Sequence, residues 1–172
     1  LKVPVTSFKA TDCIVVANPI KSSDGLKSWR RVLQIAEVRK YWTTDPLTEG
    51  GFVDLMKYHV EDDKLLPSED LINGDSEIIK DIAANVKGWA GNWDAVWDNI
   101  LLRQKIKEDI VSYSQKLSQP EMLEANFNVK ANNAFHQISE KIQEEIGLPS
   151  SDRVFPEWRK WLEKNTARLS IE

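Results

Sequence analysis

"TDCIVVANPIKSSDGLKSWRRVLQIAEVRK", residues 11–40, decides the fold class. Residues 11–20 are rich in β-branched and apolar side chains, which pack well on a pleated surface, so the segment is predicted to be a strand. "KSSDG" (21–25) reads as a turn, with Gly25 able to take positive φ at no steric cost. "LKSWRRVLQIAEVRKYW" (26–42) is the return strand. Strict alternation places Trp29, Arg31, Leu33 and Ile35 on one face and Arg30, Val32, Ala36 and Val38 on the other. Both faces are partly apolar, which suits a strand inside a larger sheet; a hairpin on its own is marginal in water. The adjacent Arg30 and Arg31 point to opposite faces and are expected to do different work.

Beyond the hairpin, "TTDPLTEGG" (43–51) is a loop, opened by Asp45-Pro46 and closed by Gly50-Gly51. "FVDLMKYHV" (52–60) alternates Phe52, Asp54, Met56 and Tyr58 against Val53, Leu55, Lys57 and His59, which predicts a third strand. "EDDKLLPSEDLINGD" (61–75) reads as a polar turn, a short extended piece and the approach to a helix start at Asp75. The period then changes to helical. Ile78, Ile79, Ile82, Ala83 and Val86 form one stripe, and "KGWAGN" (87–92) breaks it. Asn92 can cap a second helix carrying Trp93, Val96, Trp97, Ile100 and Leu101, continued by Leu102, Ile106, Ile110, Tyr113 and Leu117. Ser118-Gln119-Pro120-Glu121 reads as a capping box that opens a third helix. Its stripe runs from Phe127 to Ile146, and Gly147 and Pro149 end it. A last helix starts near Asp152 with Phe155, Trp158, Trp161 and Leu162 inward. The expected fold is α+β: a three-stranded, mainly antiparallel sheet followed by about four α-helices. Residues 1–75 are expected to form the strand-rich part and 76–172 the helical part.

At 172 residues and 41% apolar composition, the chain suits one compact domain, or a small domain with a helical extension. The longest purely apolar run is Cys13 to Ala17, far short of the roughly 20 residues a spanning helix needs. No basic segment followed by an apolar one opens the chain, and it begins at Leu1, which suggests a piece of something longer. A single cysteine makes no internal disulfide, so a reduced intracellular protein is expected, with Cys13 as a small core residue. The net charge of −4 weighs against general nucleic-acid binding. The charge is uneven: residues 1–44 hold eight Lys/Arg against three Asp/Glu, and residues 45–75 hold two against nine.

The chemistry-bearing motifs are few. No Gly-x-x-x-x-Gly-Lys-[Ser/Thr] and no Gly-x-Gly-x-x-Gly occurs, so no phosphate loop can be built. His59 and His136 lie far apart with no cysteine pair, and "EDDK" (61–64) lacks the spaced ligands of a calcium loop, so no metal site is expected. Asp54 and Asp62 carry no partner signature for acid–base work, and no catalytic residue is assigned. Trp89, Trp93 and Trp97 share one helix side if the helix reaches back to Trp89; Trp158 and Trp161 are three apart. Such stripes are first read as core. The other reading is a partner-docking surface made by Trp93, Trp97, Trp158 and Trp161.

Over about residues 3–112 the chain resembles the type II/type IV secretion ATPase family, in its archaeal branch. The resemblance is carried by the "VP" lead-in and a D-x-I-V-V strand (Asp12, Ile14, Val15, Val16). An R-R-V-x-x-I-x-E-V strand follows (Arg30, Arg31, Val32, Ile35, Glu37, Val38). Next come "GGFVDLMKYHVEDDKLLPS" and an L-x-x-R-x-x-I stretch represented by Leu101, Leu102, Arg103 and Ile106. The resemblance implies the C-terminal region of a hexameric motor for secretion or pilus assembly, cytoplasmic and held at the membrane through the secretion complex. Its implied partners are further copies of the parent in the hexamer and a membrane platform protein, with no nucleic acid and no direct membrane insertion. The family's catalytic motifs, and with them ATP and Mg, would lie upstream of Leu1, so no catalytic residue or cofactor carries over to this chain. By the same resemblance Arg30 would reach a neighbouring subunit or a nucleotide phosphate, with Arg31 as the second candidate. Arg31 shares its strand face with Trp29, Leu33 and Ile35, so it is expected to pack its stem there and pair with a carboxylate. Residues 113–172 match nothing in the family. The alternative is a stand-alone intracellular adaptor that binds another protein.

Overall fold

The structure is a computed structural model that describes residues 4–22 and 24–169. Val3 of the lead-in and Ser23 of the first turn lie outside the described residues. The chain divides into two compact units, Leu1–Gly91 and Asn92–Glu172.

The first unit is built on a four-stranded antiparallel meander in the order β1-β2-β3-β4: β1 Cys13–Lys21, β2 Ser28–Val38, β3 Phe52–His59 and β4 Lys64–Pro67. The α+β class and the antiparallel sheet are as read from the sequence. The fourth strand is a correction: the short extended piece at 64–67 pairs with β3, from His59 opposite Lys64 to Met56 opposite Pro67. Four residues carry too little alternation to mark a strand; the tight turn that returns Lys64 beside His59 makes it one. That turn holds Asp63 at φ 50°, a left-handed conformation that aspartate tolerates better than most residues.

Two bulges change the faces. Val16 pairs with Gln34 and Ala17 with Val32, so Leu33 is an extra residue on β2. Paired residues share a face, and Val15 and Ala17 are on one face of β1. Their partners Ile35 and Val32 therefore face the same way. Ile35 joins Arg30 and Val32 rather than Arg31, a correction to strict alternation. A second bulge leaves Leu55 unpaired between Met56, opposite Ile35, and Asp54, opposite Ala36. It turns Asp54 to the same side as Lys57, and the two form an ion pair at 2.8 Å while Gln34 donates to Asp54.

Cys13 is exposed, not a core residue. β1 is an edge strand among the described residues, and its odd-numbered side chains face outward uncovered. Apolar composition marks a strand but cannot report whether anything covers its outer face.

At the far end of β2 the sheet meets its helices. A one-turn helix α1 (Val5–Phe8) precedes β1, and Phe8 sets its ring edge-on to Trp42 and Phe52, 5.9 and 6.0 Å between centroids. Trp42 is fully buried, and Gly51 lies against it: a Cβ there would stand 2.6 Å from Trp42 Cδ1 and 2.7 Å from Pro46 Cβ. The loop before Gly51 is tied by Glu49, whose carboxylate accepts the backbone N–H groups of Thr43, Thr44 and Asp45. These three donors hold its pKa down to about 2.

Two helices follow the sheet within this unit: α2 Glu69–Ile72, capped by Ser68, and α3 Glu77–Ala84, capped by Ser76. The first compact unit runs on through both helices to Gly91. The reason is Glu37, the penultimate residue of β2 and only 1% exposed. Its carboxylate accepts the Ser76 hydroxyl at 2.6 Å and the Glu77 N–H at 2.9 Å, at the positive end of α3. Arg39 is also buried and lies 3.3 Å from Glu37, 3.0 Å from Glu77 and 3.1 Å from Asp75. Burial pulls the Arg39 pKa down, but the surrounding carboxylates outweigh it and hold the value above the ordinary one. α3 is thus fastened to β2 through buried charge.

The second unit is helical: α4 Trp93–Leu117, a 3-10 turn Pro120–Leu123, α5 Ala125–Ile146 and α6 Ser151–Leu169. Asn92 caps α4 as expected, its side chain accepting the Ala95 N–H. Trp89 lies before this start and shares no helix side with Trp93 and Trp97. The supposed capping box is a correction. Ser118 ends α4 at φ 54° rather than opening a helix, Pro120 starts the 3-10 turn, and α5 begins after Glu124 without a side-chain cap. Pro120 lacks the N–H that a continuing helix needs. One core joins the elements, with Leu102 and Ile106 of α4, Met122, Phe135 of α5, and Trp158 and Leu162 of α6. Asp98 of α4 fastens the start of α6, accepting the Ser151 N–H at 2.9 Å and the Ser151 hydroxyl at 2.5 Å.

Arg39→Ala leaves Glu37 buried with its cation gone, and is expected to cost about 3–5 kcal/mol. Urea unfolding followed by the NMR amide signals of β2 and α3 checks this.

Candidate functional site

The two arginines of β2 occupy different surroundings. Arg31 is committed. Its Nε lies 2.6 Å from Asp63 Oδ1 and its Nη2 2.7 Å from Oδ2, a fork-to-carboxylate pair. Tyr58 donates to the same Oδ1 at 2.7 Å, and Arg31 Nη1 donates to the Arg30 carbonyl. The guanidinium also stands over the Trp29 ring, 6.0 Å from its centroid. The pair ties β2 to the β3–β4 turn across one sheet. The two donors, Arg31 first and Tyr58 second, hold the Asp63 carboxyl far below the usual carboxylate range. Arg31 therefore has the carboxylate partner that its face suggested, and the pattern of charge in residues 61–64 is what supplies it.

Arg30 is exposed, and its guanidinium makes no hydrogen bond or ion pair among the described residues. It stands opposite Pro19, and Lys21 stands opposite Ser28 on the same face, so two cations share one exposed side of the hairpin. Asp24, in the intervening turn, is engaged locally: it accepts from the Ser22 hydroxyl and from the Leu26 N–H at 3.0 Å. Leu26 at the tip is 85% exposed.

The edge of β1 is the second feature. The Asp12 carbonyl accepts the Val38 N–H, so even-numbered residues of β1 turn their polar backbone toward β2. Cys13, Val15 and Ala17 turn theirs outward, and their side chains lie on the uncovered face, with Val15 58% exposed. Pro19 closes this edge, having no N–H to offer. The open stretch is short, apolar and able to accept one more strand.

The four candidate docking tryptophans separate. Trp158 is fully buried, and its indole N–H donates to the Ala131 carbonyl at 3.1 Å, so it is a core residue and presents no docking surface. Trp161 is half-buried and tilted against Phe127 and Trp158. Trp93 and Trp97 are half-buried and stack on each other, 6.4 Å between centroids and 20° between planes. Helical spacing finds the stripe, but only packing tells which aromatic lies beneath another helix.

His59 pairs with Asp62 at 2.9 Å in an exposed turn, and His136 is exposed beside Phe135. Among the described residues no group of three or more His, Cys, Asp or Glu side chains converges to hold a metal ion. Among the same residues no helix is long and apolar enough to cross a membrane. Sequence reasoning named Arg103 only within the L-x-x-R-x-x-I stretch and missed that it is half-buried on the α4 side of a small cavity toward α5. Its signal was present: Arg103 and Lys107 are one turn apart on the side of α4 that also carries Ile106 and Ile110. Comparison with known protein families and with curated proteins finds no match.

Arg31→Ala is expected to return the Asp63 carboxyl toward the ordinary aspartate value, and Arg30→Ala to leave it low. A carboxyl whose pKa is depressed by folding contributes stability above its unfolded value and loses it as pH falls through the folded one. The wild-type turn should therefore hold at pH 4, where the Arg31→Ala turn has begun to protonate. Carbon-detected NMR titration of the aspartate carboxyls distinguishes the two variants.

Proposed function

We propose that this chain is the C-terminal region of a secretion or pilus-assembly ATPase, supplying subunit and partner contacts without catalytic residues of its own. The observation that carries the proposal is the open edge of β1. The D-x-I-V-V strand ends the described sheet with a free row of N–H and C=O groups and an uncovered apolar face at Cys13, Val15 and Ala17. A larger motor sheet continuing from that edge would pair the free backbone groups. The order of the sequence blocks supports the same reading, with the R-R-V-x-x-I-x-E-V strand at the inside of the meander and Glu37 binding it to the helix that follows. The parent would work as a cytoplasmic hexamer against a membrane platform protein, with ATP and Mg held by upstream motifs.

In that assembly Arg30 is the contact cation. Arg31 is neutralised by Asp63, whereas Arg30 projects unpaired beside Lys21, and a guanidinium matches phosphate or carboxylate oxygens in pairs. The direct test is the coding sequence upstream of Leu1, expected to contain a Gly-x-x-x-x-Gly-Lys-[Ser/Thr] phosphate loop. An initiator codon with no such loop overturns the proposal in favour of a stand-alone adaptor.

Two measurements follow. The 172-residue chain lacks the backbone cradle and lysine that bind a triphosphate, so calorimetric titration with MgATP should give no heat of binding. A dissociation constant of about a few micromolar would contradict the reading. In the full motor, Arg30→Ala should lower ATP turnover about tenfold, equivalent to about 1.4 kcal/mol of barrier, with the melting temperature unchanged. Unchanged turnover leaves both arginines as scaffold.

A further inference from the structure

The helical unit holds a cation in a place that calls for an anion. Arg103 of α4 is half-buried with its guanidinium over the Phe135 ring, 4.7 Å from the centroid. Nε donates to the Asn99 side-chain oxygen at 3.0 Å, a neutral partner. The two terminal nitrogens have no acceptor, and Arg103 has no carboxylate partner, among the described residues. Arg159 of α6, by contrast, stands 3.5 Å from Asp109. A guanidinium drawn out of water without a counter-charge is costly, and burial lowers the Arg103 pKa accordingly.

Arg103 lies at the rim of a cavity of about 100 Å³ between α4 and α5. Ile106, Ile110, Ala131 and Phe135 line it with apolar surface, and Lys107 and Asn132 add polar groups. Small-molecule sites enclose about 300–1,000 Å³, so this volume is too small for a nucleotide or a metabolite of that size. It suits a single side chain. We infer that the cavity is a docking socket for an acidic side chain of a partner protein, whose methylene stem rests on Ile106, Ala131 and Phe135 and whose carboxylate engages the free fork of Arg103 with Lys107 beside it. A fork-to-carboxylate pair on an apolar floor provides both energy and orientation. The inference rests on the helical unit alone and stands whether or not the chain belongs to a motor.

The test is NMR titration of the isotopically labelled 172-residue chain with four probes. These are sodium butyrate, n-butylamine, a capped alanine–leucine helical peptide bearing one glutamate, and the same peptide with glutamine. Butyrate and the glutamate peptide should give saturable shifts at Arg103 Nε–H and the Ala131 and Phe135 amides, with butylamine silent. The glutamate peptide should bind about tenfold or more tightly than the glutamine peptide, the difference expected of a charge-assisted fork. Arg103→Gln and, separately, Lys107→Gln should each weaken the glutamate peptide; Lys107 is exposed, so its variant keeps the test decisive if Arg103→Gln disturbs the fold. Equal binding of the two peptides, equal shifts from butylamine, or undiminished binding in Lys107→Gln together with Arg103→Gln overturns the inference. Butyrate binding without any preference for the glutamate peptide assigns the socket to small free carboxylates and overturns the protein-partner assignment.

Discussion

The first unit depends on one buried carboxylate. Glu37 is the last charged residue of the longest strand, and it is almost entirely removed from water. A charge in that position is tolerable only if every lone pair is answered. Ser76 and the first turn of α3 answer from one side and Arg39 from another. The arrangement does more than neutralise. It selects which helix packs on the sheet and at what point of the strand, because among the described residues only the start of α3 presents a hydroxyl and a free N–H to that oxygen pair. Buried ionic groups contribute little net stability compared with apolar replacements, but they penalise every alternative register. Here the register they protect is that of β2, where a slip by one residue would move Glu37 to the other face.

That bulge also determines how the strand divides its cations. Without it, Arg31 and Ile35 would share a face along the full length of the strand. With it, the end near the turn and the end near Glu37 are offset, so Arg31 turns to Asp63 while Glu37 turns to α3. One strand thus binds a hairpin turn at one end and a helix at the other. Arg30, on the face of Glu37 but at the turn end of the strand, is left with solvent and Lys21. An exposed ion pair at that position would contribute about 0–1 kcal/mol, so leaving Arg30 unpaired costs the fold little.

The helical unit balances its charges differently. Asp98 is answered by Ser151 at a helix start, and Trp158 satisfies its indole N–H on Ala131 while filling the centre of the core. Both are closed arrangements. The Arg103 socket is open, with an aromatic floor and two unanswered nitrogens.

The sequence by itself determined the class, α+β, the three longer strands, the long helices and the helix start at Asn92, because these depend on local period, turn chemistry and capping. It also marked Arg30 and Arg31 as unequal, since adjacent strand residues cannot face the same way. Tertiary structure decided the rest. Lys64–Pro67 becomes a strand only because a turn returns it to β3. Cys13 is exposed because nothing described covers β1, and Trp158 is buried because α5 lies over it. Ser118 closes a helix instead of opening one because Pro120 interrupts the backbone ladder two residues later. For the fourth strand and for Trp158 the local pattern allowed two outcomes, and the choice was made by a distant partner that pairs a backbone edge or covers a face.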